Sequence, residues 1–255
     1  MAIKLAFSRP TASIEEQTLL IRNYGAAGYD GLQLKGGQYA AYLEQPEAFK
    51  EMWGNPSGLG SALITGGRLD ASGIDQLRSV FRFASKIGTE RIVYCHGLSR
   101  AAVTADDIRR YADILSELGL ESQQQYGVKL SLHHHYDNPV MHREDLDVFF
   151  EQARDQSVGL TVDTAHLVKS GIHDVAEVIR SFGQIIDNFH LKDFEQGEWR
   201  VLGQGAIDFS PIFEAINNIG YNGWISADEE SGGEVMEGMQ ACCAFIRNGL
   251  RQAVS

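Results

Sequence analysis

Short runs rich in Val, Ile and Leu alternate along the chain with longer segments whose apolar residues recur at the helical interval, the order expected of parallel βαβ units. The runs predict strands at 3–7, 31–35, 61–65, 91–95, 128–134, 159–163, 186–192 and 223–228. Helices are expected near 13–27, 39–52, 72–87, 104–125, 143–156, 173–182, 209–219 and 232–250. The first opens with Ser13-Ile14-Glu15-Glu16, the spacing of a capping box, in which the serine oxygen accepts an orphan backbone N–H and Glu16 reaches back. Gly25, Gly28, Gly88, Gly127 and Gly220 stand where a left-handed residue would end a helix before the next strand.

The chain also echoes itself. Gly28-Tyr29-Asp30-Gly31 leads into the second strand and Gly220-Tyr221-Asn222-Gly223 into the eighth. A helix-to-strand device recurring in a β-plus-α cycle predicts one closed (β/α)8 TIM barrel over residues 1–255, a single α/β domain without a linker. An open doubly wound sheet is the competing architecture, but no Gly-x-Gly-x-x-Gly follows an early strand to hold a dinucleotide.

The composition narrows the function. Of 255 residues, 44% are hydrophobic, enough for a sizeable core, and the formal charge is −12. So acidic a surface repels a phosphate backbone, and no basic run offsets it, so no nucleic-acid partner is expected. No stretch approaches the roughly 18 apolar residues of a membrane span, and the N-terminal apolar run is too short for a signal-peptide core. A cytoplasmic protein with no membrane partner is the expectation, and a homo-oligomer is left open. Cys95 and the adjacent Cys242 and Cys243 are odd in number and lack metal-finger spacing, so no disulfide framework is expected; the pair lies in an amphipathic helix and reads as packing.

In such a barrel the chemistry sits at the C-terminal ends of the strands. The fifth strand ends in His133-His134-His135, the sixth in Asp163-Thr164-Ala165-His166, the seventh carries His190-Leu191-Lys192-Asp193 and the eighth ends in Asp228-Glu229-Glu230. Side chains alternate along a strand, so His133 shares a face with His135, His190 with Lys192, and Asp228 with Glu230. With those faces inward, imidazoles and carboxylates from four strands converge, a donor set for Mn²⁺, Co²⁺, Zn²⁺ or Fe²⁺ more than for Mg²⁺, which prefers oxygen. Inward polar groups cost several kcal/mol unless paired or bound, which argues against coincidence. His134, on the opposite face, reads as structural. Lys192 is either a partner for Asp193 or Asp228 or a holder of a substrate oxygen. Gln33, Lys35, His96 and Arg200 are further candidate substrate contacts, His96 equally a helix cap and Lys35 equally a solvated side chain.

Read together, Asp163-x-x-His166, His190-Leu191-Lys192-Asp193, Leu202-Gly203-Gln204-Gly205-Ala206-Ile207-Asp208-Phe209 and Gly220-Tyr221-Asn222-Gly223-Trp224-Ile225-Ser226 resemble the xylose isomerase-like barrels. These include sugar and sugar-phosphate isomerases and epimerases, inosose dehydratase and isomerase, hydroxypyruvate isomerase and the apurinic endonucleases. The motifs cover the C-terminal half, and the strand and helix order covers the whole chain. Carried over by position, the resemblance implies one divalent metal, Mn²⁺ or Co²⁺ foremost, with Zn²⁺, Mg²⁺ or Fe²⁺ as alternatives, on His133, Asp163, His190 and Asp228, with His166 touching substrate. Two positions depart from the pattern: His133 stands where many members have Glu, and Asp228 is one methylene shorter than the usual Glu. The epimerases use those two Glu residues as an acid/base pair, which puts a two-base epimerisation in doubt. Leu132-His133-His134-His135 looks more like the fifth strand of inosose-dehydratase-like members.

All these candidates abstract a proton next to a carbonyl, with His135, Glu230 and His166 as the candidate bases. The expected function is a metal-dependent isomerase or epimerase of a small sugar, ketose or keto-inositol, a small polyhydroxylated carbonyl compound. The alternative is a lyase of the same site that dehydrates a keto-polyol. An apurinic-site nuclease, which needs a basic groove, and a metal-free sugar-binding barrel are lesser readings. The few basic candidates near the mouth favour an unphosphorylated substrate.

Overall fold

The computed structural model describes residues 3–54 and 58–253. The elements run β1 (Lys4–Ser8), α1 (Ile14–Asn23), β2 (Gly31–Lys35), α2 (Gly36–Tyr39), α3 (Pro46–Trp53), β3 (Ala62–Gly67), α4 (Ala71–Ile87), β4 (Arg91–His96), α5 (Ala105–Glu121) and β5 (Lys129–His133). They continue with α6 (Arg143–Gln152), β6 (Gly159–Asp163), α7 (Thr164–Lys169), α8 (Val175–Phe182), β7 (Ile186–Leu191), β8 (Asp193–Glu195), β9 (Glu198–Arg200), α9 (Ser210–Asn218), β10 (Trp224–Asp228) and α10 (Val235–Gln252). Eight strands close a parallel barrel in the order β1-β2-β3-β4-β5-β6-β7-β10, and β10 returns to β1 with Lys4 opposite Trp224 and Ser8 opposite Asp228. The (β/α)8 barrel expected from the sequence is the fold found, and β10 is its eighth strand.

Differences from the sequence reading are local and have physical causes. The helix expected over 39–52 is divided into α2 and α3, because Pro46, which lacks an N–H, starts a new helix at its first turn. Gly25 is not a left-handed terminator: α1 ends at Asn23, and the positive φ falls on Gly28 (98°). The Ser13 oxygen caps the N–H of Glu16 at 3.3 Å, and Glu16 reaches back to Ala12, one residue earlier than the expected box. Elements not foreseen include the short α7 directly after β6, the β8–β9 hairpin and a 3-10 turn at Arg100–Ala102.

The sequence echo is one device used twice. Gly28 and Gly220 (φ 66°) each supply a left-handed turn, and the glycine three residues on admits a close neighbour. A Cβ on Gly31 would lie 2.6 Å from the Gly58 carbonyl oxygen, and one on Gly223 would lie 2.4 Å from the Tyr221 hydroxyl. Cys242 and Cys243 are buried in α10, as expected of packing residues.

Strand alternation sorts the interior. Leu130, Leu132, Leu160, Val162, Phe189 and Leu191 are buried members of the hydrophobic core, while Ser131, Thr161 and Asn188 face the axis from the same three strands. These polar groups satisfy one another: Ser131 Oγ lies 2.7 Å from Thr161 Oγ1, and Asn188 and Gln33 exchange amide hydrogen bonds at 2.7 and 3.2 Å. That network is the floor beneath the strand ends. Among the described residues no helix is long and apolar enough to cross a membrane.

Candidate active site

Directly above this floor, the period-two rule brings His133 of β5, Asp163 of β6 and His190 of β7 to one point, all buried. His133 Nε2 lies 3.2 Å from His190 Nδ1 and 3.6 Å from Asp163 Oδ2, and the last two atoms are 3.9 Å apart. A triangle with these sides has a circumscribed radius of about 2.1 Å, close to the roughly 2.0–2.2 Å at which nitrogen and carboxylate oxygen bind a divalent ion. Asp163 Oδ2 is buried and has no hydrogen-bond partner among the described residues, although a buried carboxylate oxygen demands one. The donors present therefore fit a divalent metal ion.

The surrounding contacts orient these donors. His190 Nε2 lies 2.8 Å from Gln33 Oε1; since a side-chain carbonyl only accepts, Nε2 carries the proton and Nδ1 turns its lone pair to the triangle. Gln33 thus lies beneath the site, 1% exposed, hydrogen-bonded to His190 and Asn188. His134 accepts the Asp163 backbone N–H at 2.9 Å and fastens β5 to β6, the structural role expected of it. Asp163 Oδ1 accepts the His166 backbone N–H at 2.9 Å, which caps α7 and leaves Oδ2 for the triangle.

Charge follows burial and partners. Burial pushes His190 down to about 3 and keeps it neutral. Burial opposes protonation of His133 as well, but Cys95 and Asp163 outweigh it and raise the group to about 10. At neutral pH the metal-free site therefore carries a proton on His133. A ligating imidazole must be neutral, so binding a divalent cation expels that proton, and apparent affinity rises with pH up to about 10. Calorimetric titration with Zn²⁺ in buffers of different ionisation enthalpy is expected to show about one proton released per site near pH 7.5. Binding heats independent of buffer would contradict this.

Asp228 lies beside the triad but is otherwise engaged. Its carboxylate is 2.7 Å from Lys35 Nζ and 3.4 Å from Lys192 Nζ, and Glu230 bridges the same two ammonium groups, 2.9 Å from Lys35. Against the cost of burial, the two lysines hold Asp228 far below the usual carboxylate range. Asp228 is thus held by two ammonium groups and lies outside the three-donor triangle, although beyond the Lys35 ion pair its Oδ1, like Asp163 Oδ2, has no hydrogen-bond partner among the described residues. Two cations and two anions compensate one another here, which makes burial of Lys192, 1% exposed, tolerable.

The other histidines form a pair at the mouth. The ring centroids of His135 and His166 lie 3.7 Å apart, the planes tilted by 35°. His135 Nδ1 is 2.7 Å from the Tyr136 carbonyl oxygen and must donate, which leaves Nε2 as a base. His166 Nδ1 accepts the Tyr136 N–H at 3.4 Å, which places its proton on Nε2. Burial lowers both groups, so both are neutral at physiological pH. One ring thus offers a lone pair and its neighbour an N–H.

His96 and Arg200 are placed outside the triad and the histidine pair. His96 turns away from the axis, because Val93 and Cys95 take the inward positions of β4; it packs edge-on against Tyr111 of α5 at 4.6 Å and accepts the Leu98 N–H. Arg200 lies on the hairpin with Nε 3.6 Å from Glu195. Two other residues were missed. Cys95 follows the Tyr94–Leu132 pair in the β4–β5 register, beside His133, and the inward period of β4 was the signal available. Trp199 is carried over the mouth by the β8–β9 hairpin, whose Gln196-Gly197 turn has positive φ at both residues (51° and 90°).

Residues 25–248 match the family model described as xylose isomerase-like TIM barrel. Inosose dehydratase of Lacticaseibacillus casei is 32% identical over 146 residues, 50% of this chain and 48% of that protein. Inosose dehydratase of Clostridium beijerinckii is 30% identical over 138 residues, 47% and 46% respectively. The chain spans about half the length of the curated relatives it matches. Among solved structures, L-ribulose 3-epimerase superposes with a TM-score of 0.80 at 22% identity, over 100% of this chain and 96% of that one. The IolI protein with a binding zinc atom superposes with a TM-score of 0.74 at 19% identity, over 98% and 99%. At such identities the superpositions establish a shared fold, and with the match over most of the chain they lead to one conclusion: this protein belongs to the xylose isomerase-like TIM barrel family.

Proposed function

We propose that the protein is a divalent-metal-dependent enzyme that removes a proton next to the carbonyl of a small, unphosphorylated keto-polyol, a ketose or keto-inositol. The observation that carries the reading is a preformed triangle of two imidazoles and one unsatisfied carboxylate oxygen, with a pair of neutral histidines of complementary tautomer above it. When bound, the ion supplies Lewis-acid stabilisation of negative charge developing on the carbonyl oxygen. His133, Asp163 and His190 would hold it. His135 Nε2 is the base that takes the α-proton, and His166 Nε2–H donates to an oxygen of the substrate. Lys192, kept as an ammonium chiefly by Asp228 against its burial, presents a positive charge towards the same oxygen atoms.

The favoured fate is loss of a β-hydroxyl, with isomerisation or epimerisation as the second reading. Epimerisation by two bases needs a free acceptor on each face of the substrate. Here the two positions that would hold carboxylates carry His133, turned into the triangle, and Asp228, bound to two lysines. Sequence similarity to inosose dehydratases favours dehydration, and the epimerase superpositions favour the second reading.

Protein loaded with Mn²⁺, Co²⁺ or Zn²⁺ and incubated with keto-inositols and ketoses in D₂O is expected to place deuterium on the carbon next to the carbonyl. A product lighter by one water would establish dehydration; deuterated substrate or an isomer of unchanged formula would establish the second reading. Absence of exchange with every keto-polyol would overturn both.

A further inference from the structure

Trp199 belongs to neither the triad nor the histidine pair, yet it touches groups on both sides of the mouth. Its ring centroid is 5.0 Å from that of His166, at 65°, and 4.3 Å from Nζ of Lys192. Lys169, at the end of α7, places its ammonium 4.4 Å from the Trp199 ring, 5.0 Å from Tyr136 and 5.7 Å from Phe194. Among the described residues that ammonium meets three aromatic rings and no carboxylate. Phe194 and Trp199 are directly opposed in the hairpin register and in ring contact at 5.4 Å, so the cage fastens the hairpin to α7 and to the loop after β5.

Lys192 is almost wholly buried, although its ammonium would be hydrated in water. Asp228 and Glu230 satisfy it from one set of directions, and the face of Trp199 replaces solvent in another. We infer that Trp199 is a positioning residue: it keeps water from Lys192 and fixes that ammonium relative to the His166 imidazole, while Lys169 pins the indole in place. The catalytic consequence rests on the function proposed above; the shielding of Lys192 does not.

The test uses the metal-loaded protein and variants W199F, W199A and K169M. Labelling by acetic anhydride, read by peptide mass spectrometry, is expected to leave Lys192 nearly unreactive in the parent and in W199F and to rise at least tenfold in W199A, with K169M between. If keto-polyol turnover is found, W199A is expected to lower kcat about tenfold with KM changed less than threefold and metal content unchanged. Lys192 labelling in W199A equal to the parent's, with the variant folded by circular dichroism, would overturn the proposal. W199F reports the same contact should W199A fail to fold: labelling of Lys192 in W199F as fast as that of surface lysines would also overturn it. Increased labelling in W199A without turnover of any keto-polyol by the parent would uphold the shielding and refute the proposed reaction instead.

Discussion

Asp163→Ala is expected to abolish stoichiometric metal binding and to lower turnover by about a thousandfold or more, the largest effect on activity of any single substitution. Three features make Asp163 the critical ligand. It is the single carboxylate in the triangle, so without it two neutral or partly protonated imidazoles face a divalent charge with no anion. Its Oδ2 is buried without a hydrogen-bond partner among the described residues and faces both imidazoles of the triangle, at 3.6 and 3.9 Å. Its Oδ1 caps α7 through the His166 N–H, so the same substitution also loosens the imidazole at the mouth. Asp163→Asn separates the two effects, because the amide retains an acceptor for the cap and removes the charge. Replacing Gln33, which orients His190 and also pairs with Asn188, is expected to weaken metal affinity by about 10–100-fold. Metal content by mass spectrometry of the purified variants reads both. Full stoichiometric metal in Asp163→Ala would place the centre elsewhere.

Asp193→Ala is expected to have the largest effect on stability. The residue is fully buried and its carboxylate accepts four backbone N–H groups: Phe194 at 2.8 Å, Gly203 at 3.0 Å, Gly205 at 2.9 Å and Ile207 at 3.3 Å. The loop is moulded on this carboxylate: Gly205 packs so closely that a Cβ there would collide with Asp193 Oδ1. Truncation leaves four donors at least partly desolvated, a loss of about 3–5 kcal/mol, or roughly 8–15 °C in Tm for a chain of this size. Asp193→Asn is expected to recover little, since its amide N–H₂ would oppose two of the same donors. Thermal unfolding by circular dichroism checks both variants; a shift under about 2 °C for Asp193→Ala would show that the loop folds without its acceptor. The contact also explains the spacing between Lys192-Asp193 and Leu202-Gly203-Gln204-Gly205: the carboxylate at one end is the template for the glycine loop at the other.

The two cases show what kind of information each level carries. The polar strand ends were legible because alternation fixes which face a residue takes, and His133, Asp163 and His190 follow from that rule on adjacent strands. The same rule, applied to β4, turns His96 outward and Cys95 inward. Asp163 and Asp228 look alike in the sequence, each ending an inward-facing strand. One meets two imidazoles and the other two ammonium groups, a difference set by the neighbours that closure of the ring supplies.

The chain by itself therefore determined the barrel, its eight-strand order and the face on which chemistry is arranged, because each depends on local period and on turn residues close in sequence. The tertiary structure alone decided which of the gathered donors form a metal-sized triangle, that Gln33 serves beneath the site, that Lys35 and Lys192 claim Asp228, and that Trp199 covers the mouth. Those outcomes depend on distances of a few ångströms between residues as much as 195 positions apart, such as Lys35 and Glu230. Strand stagger and hairpin placement set such distances, and no periodicity encodes them.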